Sequence, residues 1–310
     1  MDLKDIAFPH LGIYLSNLPK NFSVFGFTIA FYGVLIGLGV LAGVFTAVKI
    51  SKLEHMDEDI IWDFAIYAVI CSVICARLYY VVFSWDLYKN DLLSIFNTRQ
   101  GGLAIYGGVI GGFLTLFIYS HIKKVKVFDI GDCSVFGLVL GQIIGRWGNF
   151  FNREAFGEYT NSFLAMRLPA DAVRVQDITT LQRTMMESAG VNYIQVHPTF
   201  FYEGFLNLCV LIFMIFYRKH KKFSGEMCLI YLGGYGIIRF FVEGLRTDPL
   251  LIPGTMIPVS QTLGMALFVG AVVIDLIVRS RLKKSAVDTD SSVEEKQEET
   301  ENSEEQKENE

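Results

Sequence analysis

An arginine that closes a long apolar run is the feature of this chain that most needs a chemical reason. The stretch Gly145-Arg146-Trp147-Gly148-Asn149-Phe150-Phe151-Asn152-Arg153-Glu154-Ala155-Phe156-Gly157 ends a hydrophobic segment with charges and amides. A guanidinium at the edge of a hydrocarbon layer persists only if it is paired or faces a wet cavity. If a helix runs on through the stretch, Arg146, Asn149, Arg153 and Gly157 share one of its faces. Gly148 and Gly157 would then leave room beside that face for a bulky ligand. Arginine matches a phosphate or carboxylate with a planar fork, and Asn149 and Asn152 can donate or accept beside it. These residue types together suit a phosphate head group.

Two further groups of polar residues interrupt apolar sequence. Arg239, Glu243 and Arg246 lie at helical spacing, so Glu243 can pair with either arginine and leave one positive charge for a ligand. His197-Pro198-Thr199-Phe200-Phe201-Tyr202-Glu203 opens another apolar run, with the proline suited to a first helical turn. Glu203 lies a turn and a half deeper and must be neutralised by Arg146, by Arg239 or by a proton. Arg77 and Asp63 read as structural partners within a further run.

The elements that must hold these groups are membrane helices. The chain has 310 residues, 52% of them hydrophobic, and a mean hydropathy of +0.40, too apolar for a soluble domain of this length. Runs of about 20 apolar residues are needed to cross the hydrocarbon core. Seven occur, at 22–48, 60–83, 101–120, 127–150, 198–217, 227–244 and 259–279. The expected fold is therefore an all-α polytopic membrane protein of seven transmembrane helices. The connections after runs one, three, five and seven hold thirteen basic residues, which places them in the cytoplasm. The N-terminus and the outer end of run four then lie outside.

Residues 158–196 are polar and form a small extracytoplasmic head between spans four and five, with a strand expected over 191–196. Residues 1–284 form the membrane catalytic domain, and residues 285–310 form an acidic cytoplasmic tail with a net charge of −9 against −5 for the whole chain. Such a tail buries too little surface to order itself. The N-terminus carries Asp2 and Asp5 instead of a basic segment, so the first run reads as a retained span. Gly37, Gly39 and Gly43, and Gly107, Gly108, Gly111 and Gly112, suit close helix contacts. The five cysteines, among them Cys71 and Cys75 one turn apart, fit packing and form no disulfide or zinc pattern.

The spacing Gly-Arg-x-Gly-Asn-Phe-x-Asn-x-Glu-x-x-Gly resembles the signature of bacterial prolipoprotein diacylglyceryl transferases, with all of its fixed positions present at 145–157. The Arg239 block, the His197–Glu203 block, Tyr32-Gly33 and the Gly102–Gly108 stretch also resemble family positions. Many family members carry His before Gly-Gly where this chain has Tyr106, and a phenol could act as a base there only if a guanidinium lowered its pKa.

The resemblance implies transfer of the diacylglyceryl group of phosphatidylglycerol to the lipobox cysteine thiol of a prolipoprotein signal peptide, forming a thioether and releasing glycerol phosphate. It implies a bacterial cell membrane location among membrane lipids, and no nucleic acid partner. Arg146 and Arg239 would bind the phosphodiester, with Asn149, Asn152, Gly157, Tyr32, His197, Glu203 and Arg246 at the substrate. Glu154 and Glu243 would hold the arginines, and Tyr106 would line the head-group pocket. The base could be His197, Tyr106 or a carboxylate. No cofactor or metal is called for, since neither HExxH nor a carboxylate cluster of metal-ligand spacing occurs. An anion or lipid transporter would also place arginines in a wet cavity, but no long internal repeat supports one. An intramembrane serine protease would need a Gly-x-Ser nucleophile, and no span contains one.

Overall fold

The computed structural model describes residues 1–98 and 101–308, with side-chain surroundings as far as Ser285. In chain order it forms β1 (Ile6–Phe8), β2 (Ile13–Leu15), β3 (Asn21–Val24), β4 (Phe27–Ala30), α1 (Phe31–Leu53), α2 (Glu58–Phe83), α3 (Ile105–Lys123) and α4 (Val127–Asn152). After these come β5 (Met166–Pro169), α5 (Thr180–Ala189), β6 (Tyr193–Val196), α6 (Thr199–Tyr217), α7 (Glu226–Glu243) and α8 (Val259–Glu308). The expectation of a disordered tail concerns residues beyond Ser285, which lie outside those whose surroundings are described.

Among the described residues, six helices are long and apolar enough to cross a membrane: α1, α2, α3, α4, α6 with its short extension to His220, and the Val259–Ser285 part of α8. The chain is thus a mostly helical polytopic membrane protein. The seventh expected run is also helical, as α7, but its 18 residues include Glu226, Arg239 and Glu243. That is short for a span and unusually charged. Large side chains on the other helices, such as Phe45, Ile118 and Phe216, stand exposed, as a lipid-facing surface requires.

Helix contacts are made at glycines. A Cβ on Gly43 would stand 2.7 Å from the Gly137 carbonyl oxygen, and one on Gly39 would stand 3.1 Å from that of Gly141. α1 and α4 therefore cross through two facing Gly-x3-Gly pairs, backbone against backbone. Gly111 of α3 meets the Cys71 carbonyl, and Gly236 of α7 meets the Gly264 carbonyl of α8. Phe136, Ile130, Met214 and Met227 fill the bundle core.

The structure corrects the all-α expectation in two places. Residues 22–30, expected to open the first span, form a hairpin in register Asn21↔Ala30 to Val24↔Phe27. Phe25 and Gly26 turn it at φ 50° and 82°, the two positive values that a tight two-residue hairpin needs. Its residues alternate, with Phe22, Val24, Phe27 and Ile29 on one face and Asn21, Ser23, Thr28 and Ala30 on the other, but it leads directly into the apolar sequence of α1, so apolar length alone takes it as the start of that run. The polar segment 158–196 is likewise not self-contained. Its strands β5 and β6 join the N-terminal β1 and β2 in one antiparallel sheet of order β2-β1-β5-β6. A second core of Ile6, Phe156, Leu168, Ile194 and Val196 lies beneath that sheet.

Candidate functional site

Three chain segments meet at one end of the bundle and are joined there through their backbones. Gly157, after α4, donates to the carbonyl of His197 ahead of α6 at 3.0 Å, and Glu158 donates to that of Leu245 after α7 at 2.9 Å. Gly157 and Arg246 also form an antiparallel bridge. The last turns of α4 and α7 and the first turn of α6 are thereby fixed side by side. Each carries one of the charged residues singled out from the sequence.

Those residues converge on Glu203. Its side chain is 1% exposed; Oε1 lies 2.5 Å from Arg146 Nη2 and Oε2 lies 3.2 Å from Arg239 Nη1. One buried carboxylate thus holds both guanidiniums, from three different helices. Arg239 turns its other nitrogen to Glu243 at 2.6 Å, and Glu243 lies 3.7 Å from Arg246. Arg246 pairs with Asp248 at 2.9 Å, and Asp248 also meets Arg174 at 3.3 Å. Cations and anions alternate from the bundle core to the surface of the head. Burying such charges is tolerable because each has an opposite neighbour.

The amides form a second branch. Arg146 Nη1 donates to Asn149 Oδ1 at 3.4 Å, while Asn149 and Asn152 both donate to Glu154 Oε1, at 3.0 and 3.3 Å. Tyr32 packs against the bare backbone of Gly148 and lies within electrostatic reach of Glu154 and Arg146.

Several sequence expectations change here. Among the described contacts Glu154 has no ion pair with an arginine and reaches Arg146 through Asn149, while Glu203 takes the place expected of it. The surplus positive charge expected beside Glu243 is absent from Arg246, which is satisfied by Asp248. Arg153 and Gly157 do not continue the face of Arg146, because α4 stops at Asn152 and Arg153 caps it at φ 55°. Arg153 turns into the head, donating to the carbonyls of Phe151, Lys4 and Leu18. The room beside the glycines is taken by protein: Tyr32 fills it at Gly148, while His197 and the Leu245 carbonyl fill it at Gly157.

His197 Nδ1 lies 3.2 Å from the Tyr202 hydroxyl. Burial pushes the imidazole below its usual pKa, against the opposing charge of Glu158. Tyr106 stands in the α2–α3 pair with its ring 6.5 Å from that of Tyr79. Among the described contacts it has none with Arg146, Arg239 or Glu203. Asp63 pairs with Lys123 at 2.9 Å. Arg77 donates to the carbonyls of Ser94, Ile95, Asn97, Gly101 and Gly102 and so pins the loop before α3.

Sequence reasoning missed the layer beneath the cluster. Tyr235 lies within electrostatic reach of Glu203, Arg239 and Arg146, and stacks on Tyr231, whose hydroxyl accepts from Gln142 at 2.7 Å. Tyr235 is four residues before Arg239, and Gln142 four before Arg146. One inward turn on the same faces was the available signal.

A family model described as prolipoprotein diacylglyceryl transferase matches residues 19–277. The chain belongs to this family. It is 38% identical over 265 residues to the phosphatidylglycerol–prolipoprotein diacylglyceryl transferase of Finegoldia magna, covering 85% of this chain and 97% of the relative. The protein of the same name from Clostridioides difficile is 40% identical over 245 residues, covering 79% and 90%. That of Bacillus cytotoxicus is 38% identical over 254 residues, covering 82% and 89%. The family match takes in α1–α4, α6 and α7, and every residue of the charged cluster.

Proposed function

We propose that Arg146 and Arg239, held by Glu203, grip the phosphodiester of phosphatidylglycerol while the thiol of a lipobox cysteine displaces it. The activity is that of the family: a membrane-embedded transferase that moves a diacylglyceryl group to a prolipoprotein. The observation that carries the residue assignment is the sharing of one buried carboxylate by two guanidiniums from neighbouring helices. In this reaction a sulfur–carbon bond forms and the carbon–oxygen bond to phosphate breaks. The electron pair leaves on the phosphate oxygen as glycerol phosphate, and the thiol proton ends on that phosphate or on a base that passes it there.

Negative charge grows on the departing oxygen, and fixed guanidiniums in a water-poor site stabilise such charge strongly. Asn149 and Asn152, anchored on Glu154, would orient head-group oxygens, with Tyr32 closing one side. Glu243 and Arg246 would steady Arg239, and His197 and Tyr106 would line the approaches. The proposed arrangement is seven spans with α7 as the sixth, the N-terminus and the sheet-bearing head outside, and the C-terminus in the cytoplasm of a bacterial cell. The packing of α7 among α4, α6 and α8 supports its place in the bundle.

The test is mass analysis of a lipobox peptide incubated with purified protein and phosphatidylglycerol, with a Cys→Ser peptide as control. The cysteine peptide alone should gain a diacylglyceryl mass. Arg146→Ala and Arg239→Ala should each lower the rate by roughly 10²–10³-fold while the protein still inserts. Near-normal turnover in either variant would remove the head-group assignment.

A further inference from the structure

Beside the charged cluster, on the side of the head, lies a cleft of about 430 Å³ whose wall includes Lys20, Asn152, Arg153, Glu154 and Arg174. Asn152 and Glu154 face two ways: they form the amide branch that reaches Arg146 through Asn149, and they line this opening. The cleft thus shares two lining residues with the amide branch beside the proposed phosphate grip.

Arg174 is paired with Asp177 and Asp248, but the other two cations are incompletely satisfied. Arg153 is 2% exposed, and its Nε is buried without a partner among the described atoms. Lys20 donates to the Ala172 carbonyl at 2.8 Å, and among the described ion pairs it has no carboxylate. Burial and the neighbouring Arg153 push the Lys20 ammonium below its usual pKa, Glu154 opposing them. An anion between the two cations would relieve both effects.

We propose that this cleft is a binding site for a water-soluble phosphate monoester, the glycerol phosphate released in transfer, with Lys20 and Arg153 as its principal ligands. The proposal rests on the head-group reading above. A displaced glycerol phosphate carries no acyl chain, so it must leave to water and not to lipid. The cleft offers it cationic partners one step beyond the amides that oriented it. Glu154 on the same wall would repel the fully charged monoester if it stayed, which favours passage over trapping.

The test is isothermal titration calorimetry of the full-length protein in detergent with glycerol phosphate, inorganic phosphate and glycerol. Wild type should bind both phosphates and not glycerol. Lys20→Ala should weaken glycerol phosphate binding roughly tenfold, the loss of one charge-assisted hydrogen bond. Lys20→Glu should remove it, and thermal unfolding of Lys20→Gln checks that the fold tolerates change at this position. Absence of phosphate binding in wild type, or equal binding in Lys20→Glu, overturns the site. A parallel titration with phosphatidylglycerol vesicles separates the two sources of phosphate. If Lys20→Glu weakens lipid binding as much as glycerol phosphate binding, the cleft holds an intact head group and the exit role is overturned. Since binding is read without turnover, Lys20-dependent binding in a protein that transfers no lipid would sink the transferase mechanism and keep the anion site.

Discussion

Glu203 is the residue on which the arginine pair depends, because it is the anion that Arg146 and Arg239 share. Replacing it by Gln keeps the size and removes the charge, leaving two guanidiniums close together in a medium that screens poorly. Breaking a buried pair from one side costs roughly 3–5 kcal/mol, so Glu203→Gln should lower the thermal unfolding temperature in detergent markedly. Added glycerol phosphate should restore part of that loss, more than it raises the wild type, since a phosphate can take the vacated role. An equal shift in both proteins would argue that the arginines do not face a phosphate-accessible space. Arg239→Lys tests the fork itself. Arg239 meets Glu203 and Glu243 with two different nitrogens, and an ammonium cannot span both with the same geometry. The Lys variant should fold and insert yet transfer at a rate closer to that of Arg239→Ala than to wild type.

At the scale of elements, the site exists because α1 packs tightly enough on α4 to bring Tyr32 against Gly148. That contact is backbone on backbone at Gly43 and Gly137, where an added Cβ on Gly43 would stand 2.7 Å from a carbonyl oxygen. Gly43→Ala should therefore push the helices apart, at a cost of about 1–3 kcal/mol from overpacking, and reduce transfer although position 43 lies several turns from Arg146. Unchanged unfolding and activity in Gly43→Ala would show that the crossing has slack. The helices themselves were readable in the sequence, since long apolar runs have few alternatives in a membrane. Arg146, Arg239 and Glu203 were readable too, because intramembrane charges demand partners. The partners of Glu203 and Glu243 were legible as well, but not that Glu203 takes both Arg146 and Arg239 in place of Glu154, since that depends on how α4, α6 and α7 are set side by side. Of the strands, β6 lies within the stretch 191–196 where one was expected, and the others escaped for another reason. β1 and β2 have three residues each, too few for a period to declare itself, and β3–β4, although it alternates, leads straight into the apolar sequence of α1 and is absorbed in that run.

For the whole molecule, charge fastens the bundle at both ends, and the end away from Arg146 can be tested by pH alone. Glu54, just past α1, accepts from Arg218 and Lys221 beyond α6, each at 2.8 Å. Burial by itself would raise the Glu54 carboxyl, but Lys221 and Arg218 outweigh it and hold the group below its ordinary value of 4.5. The folded state therefore binds this proton less readily than the unfolded chain. A lowered carboxyl pKa contributes stability that is fully present above the unfolded value and fades as pH falls through the folded one. Glu54→Gln removes the charge at every pH, so it should cost about 2 kcal/mol near neutrality, the scale of a charge-assisted hydrogen bond. The gap between wild type and Glu54→Gln in thermal unfolding should hold from pH 7 to about 5 and narrow steadily below 4.5. A gap that stays constant down to pH 3 would mean that the stabilisation comes from packing and not from the ion pairs. The same variant should leave phosphate binding at the opposite end unchanged, because the two charge networks are separated by the apolar core around Phe136 and Met214.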